Sequence, residues 1–130
     1  MNVDSTLRKY FVTSLRDKHP IFDKRQGTFK QNACYLISSQ SKDVVDSTKC
    51  GQHFDCTIEI ECISRTEVSS NAVSTLILDE MENFVLDAYN SINLSNFTTT
   101  TKTYNSQSFD AEVSADKTNR KVILMNFKIQ

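Results

Sequence analysis

From Phe54 the chain alternates without a break, with Phe54, Cys56, Ile58, Ile60 and Cys62 at even positions and Asp55, Thr57, Glu59 and Glu61 at odd ones. Successive side chains of a strand point to opposite faces, so this pattern predicts a half-buried strand with one apolar and one polar face. After IECISRTE the period changes. In VSSNAVSTLILDEMENFVLDAYN, Ala72, Val73, Leu76, Ile77, Met81, Phe84, Val85 and Ala88 recur at helical spacing, and Ser69 or Ser70 can cap the start. A helix of about 20 residues spans ~30 Å, enough to cross a whole sheet. Its other side carries Asp79, Glu80, Glu82, Asn83 and Asp87. Carboxylates are too costly to bury without partners, so this side is expected to face solvent or a channel.

The same reasoning extends to both ends. DSTLRKYFVTSLRDKHP predicts a first helix, capped by Asp4 or Ser5, with Leu7, Tyr10, Phe11 and Leu15 on one face. His19 precedes Pro20, and a residue before proline is pushed out of the helical region, so the helix ends near there. TFKQNACYLIS predicts a strand with Phe29, Ala33, Tyr35 and Ile37 on one side. FTTTTKTY and SFDAEVS are β-prone, SADKTNRK makes a turn, and VILMNFKIQ closes with Ile123, Met125, Phe127 and Ile129 on one face. The expectation is one α+β domain over residues 1–130, an antiparallel sheet of four or five strands packed by two helices on one side, in the order α-β-β-α-β-β.

One segment has no periodicity. SSQSKDVVDSTKCGQ, Ser38 to Gln52, is read as a long inter-strand loop, polar except for Val44 and Val45, with Lys42, Asp43, Asp46 and Lys49 around the pair. Loops this long in a compact domain tend to be functional or disordered; an arm docking two valines on another subunit fits the composition, and the alternative is a mobile surface loop with no task.

Composition narrows the function classes. With 38% hydrophobic residues, 24% charged and a net charge of -1, the chain suits a globular domain rather than a disordered segment or a dedicated nucleic-acid binder. No stretch approaches the ~18 consecutive apolar residues of a membrane span. MNVDSTLRKY has acid and polar residues where an export signal needs an apolar run, so the four cysteines are read as free thiols. Only Gly27 and Gly51 are present, too few for a phosphate-cradling loop. Charge is uneven: residues 1–31 hold seven basic and three acidic side chains, whereas Lys42 to Asp87 holds three basic and ten acidic. Such asymmetry suits either solvated faces or a surface whose basic part meets the acidic part of the next copy.

The candidate chemistry is thin. Three cysteines and a histidine lie within CGQHFDCTIEIEC. Cys56 and Cys62 share a strand face, but six strand residues set them ~20 Å apart, whereas zinc binds sulfur at ~2.3 Å. Cys50, His53 and Cys56 could cluster at the turn, with Cys34 as a distant fourth ligand, yet the spacing fits no zinc knuckle. Glu59 and Glu61 share a face as a conceivable acid pair, but on the polar side, where such pairs are solvated. Catalysis needs such groups held in a pocket. The sequence therefore predicts no catalytic, cofactor-binding or metal site, and no enzyme.

The capped first helix, the strand pair and the run DCTIEIECISRTEVSSNAVSTLILDEMENFVLDAY, followed by a final hairpin ending in RKVILMNFKIQ, resemble the tail terminator and tail-completion proteins of tailed bacteriophages. The likeness lies in the order of elements over nearly the whole chain. The glycines usual in that family before the long helix and in the following loop are missing here. The resemblance implies a structural virion protein, made in the bacterial host cytoplasm and forming a homo-oligomeric ring at the head–tail junction or the top of the tail. It implies neighbouring connector or tail proteins as partners, DNA only as passing cargo, no membrane and no cofactor. The alternative is a small cytoplasmic α+β domain that dimerises through its sheet and binds a ligand or partner protein.

Overall fold

The computed structural model of the chain describes residues 3–23, 33–44, 53–67, 71–94, 97–113 and 116–130. Its elements are α1 (Val3–Leu15), β1 (Ile21–Asp23), β2 (Ala33–Val44), β3 (His53–Glu67), α2 (Asn71–Asn90), β4 (Thr99–Val113) and β5 (Asp116–Ile129). The strands form one sheet in the order β1-β2-β3-β5-β4. β2, β3, β5 and β4 are antiparallel neighbours, but β1 runs parallel to β2, with Ile21 beside Tyr35 and Asp23 beside Ile37.

The sheet is therefore mixed, and the element order is α-β-β-β-α-β-β, which corrects the expected antiparallel sheet and its α-β-β-α-β-β order. The missed strand has three residues, too few to show an alternation. Tertiary pairing makes it: beside it, the Tyr35 amide donates to the Pro20 carbonyl at 2.8 Å. A second correction concerns the expected loop. β2 continues through Ser38–Val44, paired from Ser38–Glu59 to Val44–His53, so half of that segment is strand. Residues 45–52, with Val45, Asp46, Lys49 and Cys50, lie outside the described residues. At the far side, the expected separate strands FTTTTKTY and SFDAEVS are one continuous strand, β4.

Both helices cover one face, here called the inner face. Val3, Leu7, Phe11 and Leu15 recur every fourth residue and are buried, so α1 presents a single stripe to the sheet. α2 buries Leu78, Met81, Val85 and Ala88. Beneath them lie Tyr35, Ile37, Cys56, Ile58, Ile60, Cys62, Ile123, Met125, Phe127 and Ile129. The expected inner faces of β3 and β5 are thus the core, and burying each such large side chain contributes about 1.5–3 kcal/mol. The expected cap residues Ser69 and Ser70 and the strand residue Phe29 lie outside the described residues.

Polar atoms fix the layers in register. Tyr10 donates to the Ala88 carbonyl at 2.6 Å, tying α1 to α2, and Tyr35 donates to the Met81 carbonyl at 3.2 Å, tying β2 to α2. Lys102 on β4 donates to the Tyr89 carbonyl at 2.8 Å and packs 4.5 Å over the Tyr89 ring. A cation there satisfies carbonyls that the last helical turn leaves open and complements its negative dipole end.

Candidate functional site

The cysteine-rich stretch separates once it is a strand. His53 and Cys56 stand at odd and even positions of β3 and so project from opposite faces. Cys34 pairs with Ile63, ten residues along β3 from His53, a separation of ~33 Å. Cys50 lies outside the described residues. Among the described residues no group of three or more His, Cys, Asp or Glu side chains is placed to hold a metal ion.

The thiols are those of a packed interior. Cys34, Cys56 and Cys62 are buried. Burial pushes the Cys56 thiol up to about 11, helped by the carboxylates of Asp4 and Asp55. Burial also pushes the Cys62 thiol up, with Glu82 adding to the shift and Lys121 opposing it. The thiolate is the reactive form, so both are poor nucleophiles near neutral pH.

The carboxylates depart from the expected pattern. Glu61 was expected on a solvated face but is 6% exposed and forms an ion pair with Arg120 at 3.1 Å. On α2, Glu80 and Asp87 are exposed as expected. Glu82 is not: its side chain is 20% exposed and lies over the sheet, 2.8 Å from the Lys121 ammonium. Lys121 also reaches Asp79 at 2.7 Å, and Tyr104 donates to Glu82 at 2.9 Å. Burial alone would raise the Glu82 carboxyl, but hydrogen bonds from Lys121, Ser106 and Tyr104 outweigh it and hold the carboxyl below its usual range. Burial likewise opposes the Lys121 charge, and the bonds to Asp79 and Glu82 win, raising its pKa. Nothing in the sequence pattern singles out Glu82 from the other helix acids, because its partners come from β4 and β5.

The histidines do not join these groups. His19 lies after α1 with its ring edge-on to Tyr35 at 5.7 Å, and burial lowers its pKa against the pull of Glu80. On the outer face, Asn126 donates to Asp55 at 2.6 Å and to Thr57 at 3.2 Å. Gln40, Ser41, Lys42, Asp55 and Thr57 line an open cleft there of about 190 Å³. Glu61, Arg120, Glu82 and Lys121 are thus committed to ion pairs within the fold, whereas the buried His53 Nε2 has no hydrogen-bond partner among the described residues.

What remains is surface. Around a small second cluster of Cys34, Leu36 and Ile63 with Phe22, the outer face is mainly polar. Leu124, at 45%, is the one large apolar side chain exposed among the described residues. No helix among them is long and apolar enough to cross a membrane.

No known family model matches the sequence, and no curated protein is similar to it. The fold does have a solved counterpart. A chain in the virion of a native gene transfer agent particle superposes with a TM-score of 0.55 at 11% identity, over 95% of this chain and 96% of that one. At that identity the likeness is one of fold, and it runs from end to end.

Proposed function

We propose that this chain is a structural virion protein of a phage-like particle, with no catalytic role. The observation that carries the reading is the end-to-end match in fold to a chain of a gene transfer agent virion, with almost nothing left over on either side. The disposition of chemistry agrees with it. Glu61, Glu82, Lys121 and Arg120 pair with one another within the fold, and the described thiols are buried.

In its finer form, the protein builds a ring at the head–tail junction or at the top of the tail, contacts copies of itself, and docks neighbouring connector or tail proteins while DNA passes through the bore. The uneven charge along the chain supports head-to-tail contacts, in which a basic patch of one copy meets an acidic patch of the next. Glu80 and Asp87, exposed on α2, are suited to a surface that must not hold phosphate. The rival dimer through the sheet finds little support, because among the described residues one exposed leucine on a polar face is a poor apolar interface.

Mass spectrometry of purified particles and electron microscopy of a deletion mutant test this reading. The chain should be present in stoichiometric amounts, and its loss should leave filled heads and tails unjoined or tails of uncontrolled length. Particles that lack the chain, or a deletion with intact joined particles, would refute it.

A further inference from the structure

Among the described residues the sheet has two open edges. At one end β4 is the outermost strand, and among the described residues nothing pairs with its outer side. At the other end β1 covers β2 only from Tyr35 to Ile37, so Ser38–Val44 of β2 has no described neighbour on that side. Exposed edges are ready templates for another strand, and proteins that must stay apart blunt them with charge, proline or short strands. Beyond a bulge between Thr99 and Thr101, β4 does little of this. Between Thr99 and Ser108 it has no proline, and its one charge, Lys102, is turned back onto the end of α2.

We propose that β4 of one copy pairs edge to edge with Ser38–Val44 of β2 in the next, so that the sheet continues from subunit to subunit. Chain direction favours it. β2 runs with β5, and β4 runs against β5, so β4 and the β2 of an identically oriented neighbour are antiparallel. The side chains that would meet are compatible. On the outer face Ser38, Gln40 and Lys42 would lie beside Thr103, Asn105 and Gln107, a row with one charge and no like-charge pair. A contact of this kind satisfies both edges at once. Pairing of β4 with another β4 would leave the β2 edge open in each copy. β1 ends the new ladder where it begins to cover β2, which fixes how far the strands can slide. This inference names the self-contact within the proposed virion role and rests on that reading only for where the contact operates.

The test uses the full chain and three variants, followed by native mass spectrometry and sedimentation at rising concentration, with circular dichroism to verify folding. Asn105→Lys with Gln107→Lys places charge on the β4 edge, and Ser38→Lys with Gln40→Lys does so on the β2 edge. Leu124→Lys charges the outer face away from both edges. The wild type should assemble, each edge variant alone should associate at least tenfold more weakly, and Leu124→Lys should behave as wild type. Mixing the two edge variants should give a 1:1 dimer that grows no further, since each supplies one intact edge. The proposal is overturned by a wild type that stays monomeric, by edge variants that assemble normally, or by a β2 variant that dimerises alone. Loss of assembly in Leu124→Lys would also overturn it, by moving the contact to the sheet face. If an edge variant fails to fold, hydrogen exchange on the wild type decides. Amides of Ser38–Val44 and Thr99–Ser108 must gain protection with concentration, and unchanged exchange overturns the pairing. Incorporation into particles is read separately, so failure of the edge contact and failure of the virion role are distinguishable.

Discussion

Replacing Lys121 by methionine keeps the aliphatic stem and removes the charge that clamps α2 to the sheet. The ammonium lies 2.7 Å from Asp79 and 2.8 Å from Glu82, but the two carboxylates differ in setting, at 54% and 20% side-chain exposure. Leaving a fully buried charge unpaired costs about 3–5 kcal/mol. Glu82 keeps some water and its bond from Tyr104, so its share falls to roughly 1–2 kcal/mol. The exposed Asp79 adds at most about 0.5 kcal/mol. Lys121→Met should therefore cost about 2 kcal/mol and lower the urea midpoint by roughly 1 M. In double-mutant cycles the coupling of Lys121 to Glu82, measured with Glu82→Gln, should exceed its coupling to Asp79. pH supplies a second readout. The depressed Glu82 carboxyl contributes stability present above its unfolded value near ~4.3 and lost as pH falls through the lower folded value. The raised Lys121 contributes stability present below ~10.4 and lost as pH rises through its higher folded value. In Lys121→Met the acid limb should shrink and the alkaline limb from Lys121 should disappear. A loss under about 0.5 kcal/mol, typical of a solvated pair, or a stronger coupling to Asp79, would refute the reasoning.

Three further outcomes are expected. Tyr10→Phe should cost about 1 kcal/mol in urea unfolding by removing the bond to the Ala88 carbonyl, and a neutral result would mean that α1 and α2 are held by packing alone. Cys34, Cys56 and Cys62 should resist a thiol reagent at mildly alkaline pH in the native protein and react at once in denaturant; fast native labelling at any of them would contradict their burial. Cys62→Ala should cost about 1–2 kcal/mol through lost packing without altering metal content, and stoichiometric zinc in the purified wild type would overturn the structural role of these cysteines.

The parts of the fold legible in the sequence are those whose burial is periodic. Cys56, Ile58, Ile60 and Cys62 announce β3, the fourfold recurrence of Leu7, Phe11 and Leu15 announces α1, and Ile123 to Ile129 announces the inner face of β5. β1 escaped because Ile21–Asp23 is shorter than a repeat and exists through its parallel pairing with β2. Ser38–Val44 escaped because every residue from Ser38 to Asp43 is polar, so composition matched a loop while the backbone matched β3. Glu61 and Glu82 escaped for a third reason. Periodicity assigns a face to a residue but not a partner, and Arg120 and Lys121 arrive from a strand far along the chain. The candidate surface was legible only as composition, since open edges are a property of strand order.

Strand order also shapes how the molecule must form. β2 with β3 and β4 with β5 are pairings of sequence neighbours, but β3 joins β5 across α2, with Phe54 beside Ile129 and Ile60 beside Ile123. Two hairpins can arise locally within microseconds, yet neither owns a complete core until that central seam closes. Closing it spends the entropy of a long loop before the reward arrives, which places the rate-limiting barrier there and the folding time toward the slower, millisecond-to-second range. Substitutions along the seam, such as Ile60→Val or Ile123→Val, should then slow folding, whereas trimming the outer side of β4 should mainly hasten unfolding. A nascent chain would hold β2, β3 and α2 in an unfinished state until β5 emerges, with the apolar side of β3 uncovered for as long as synthesis takes.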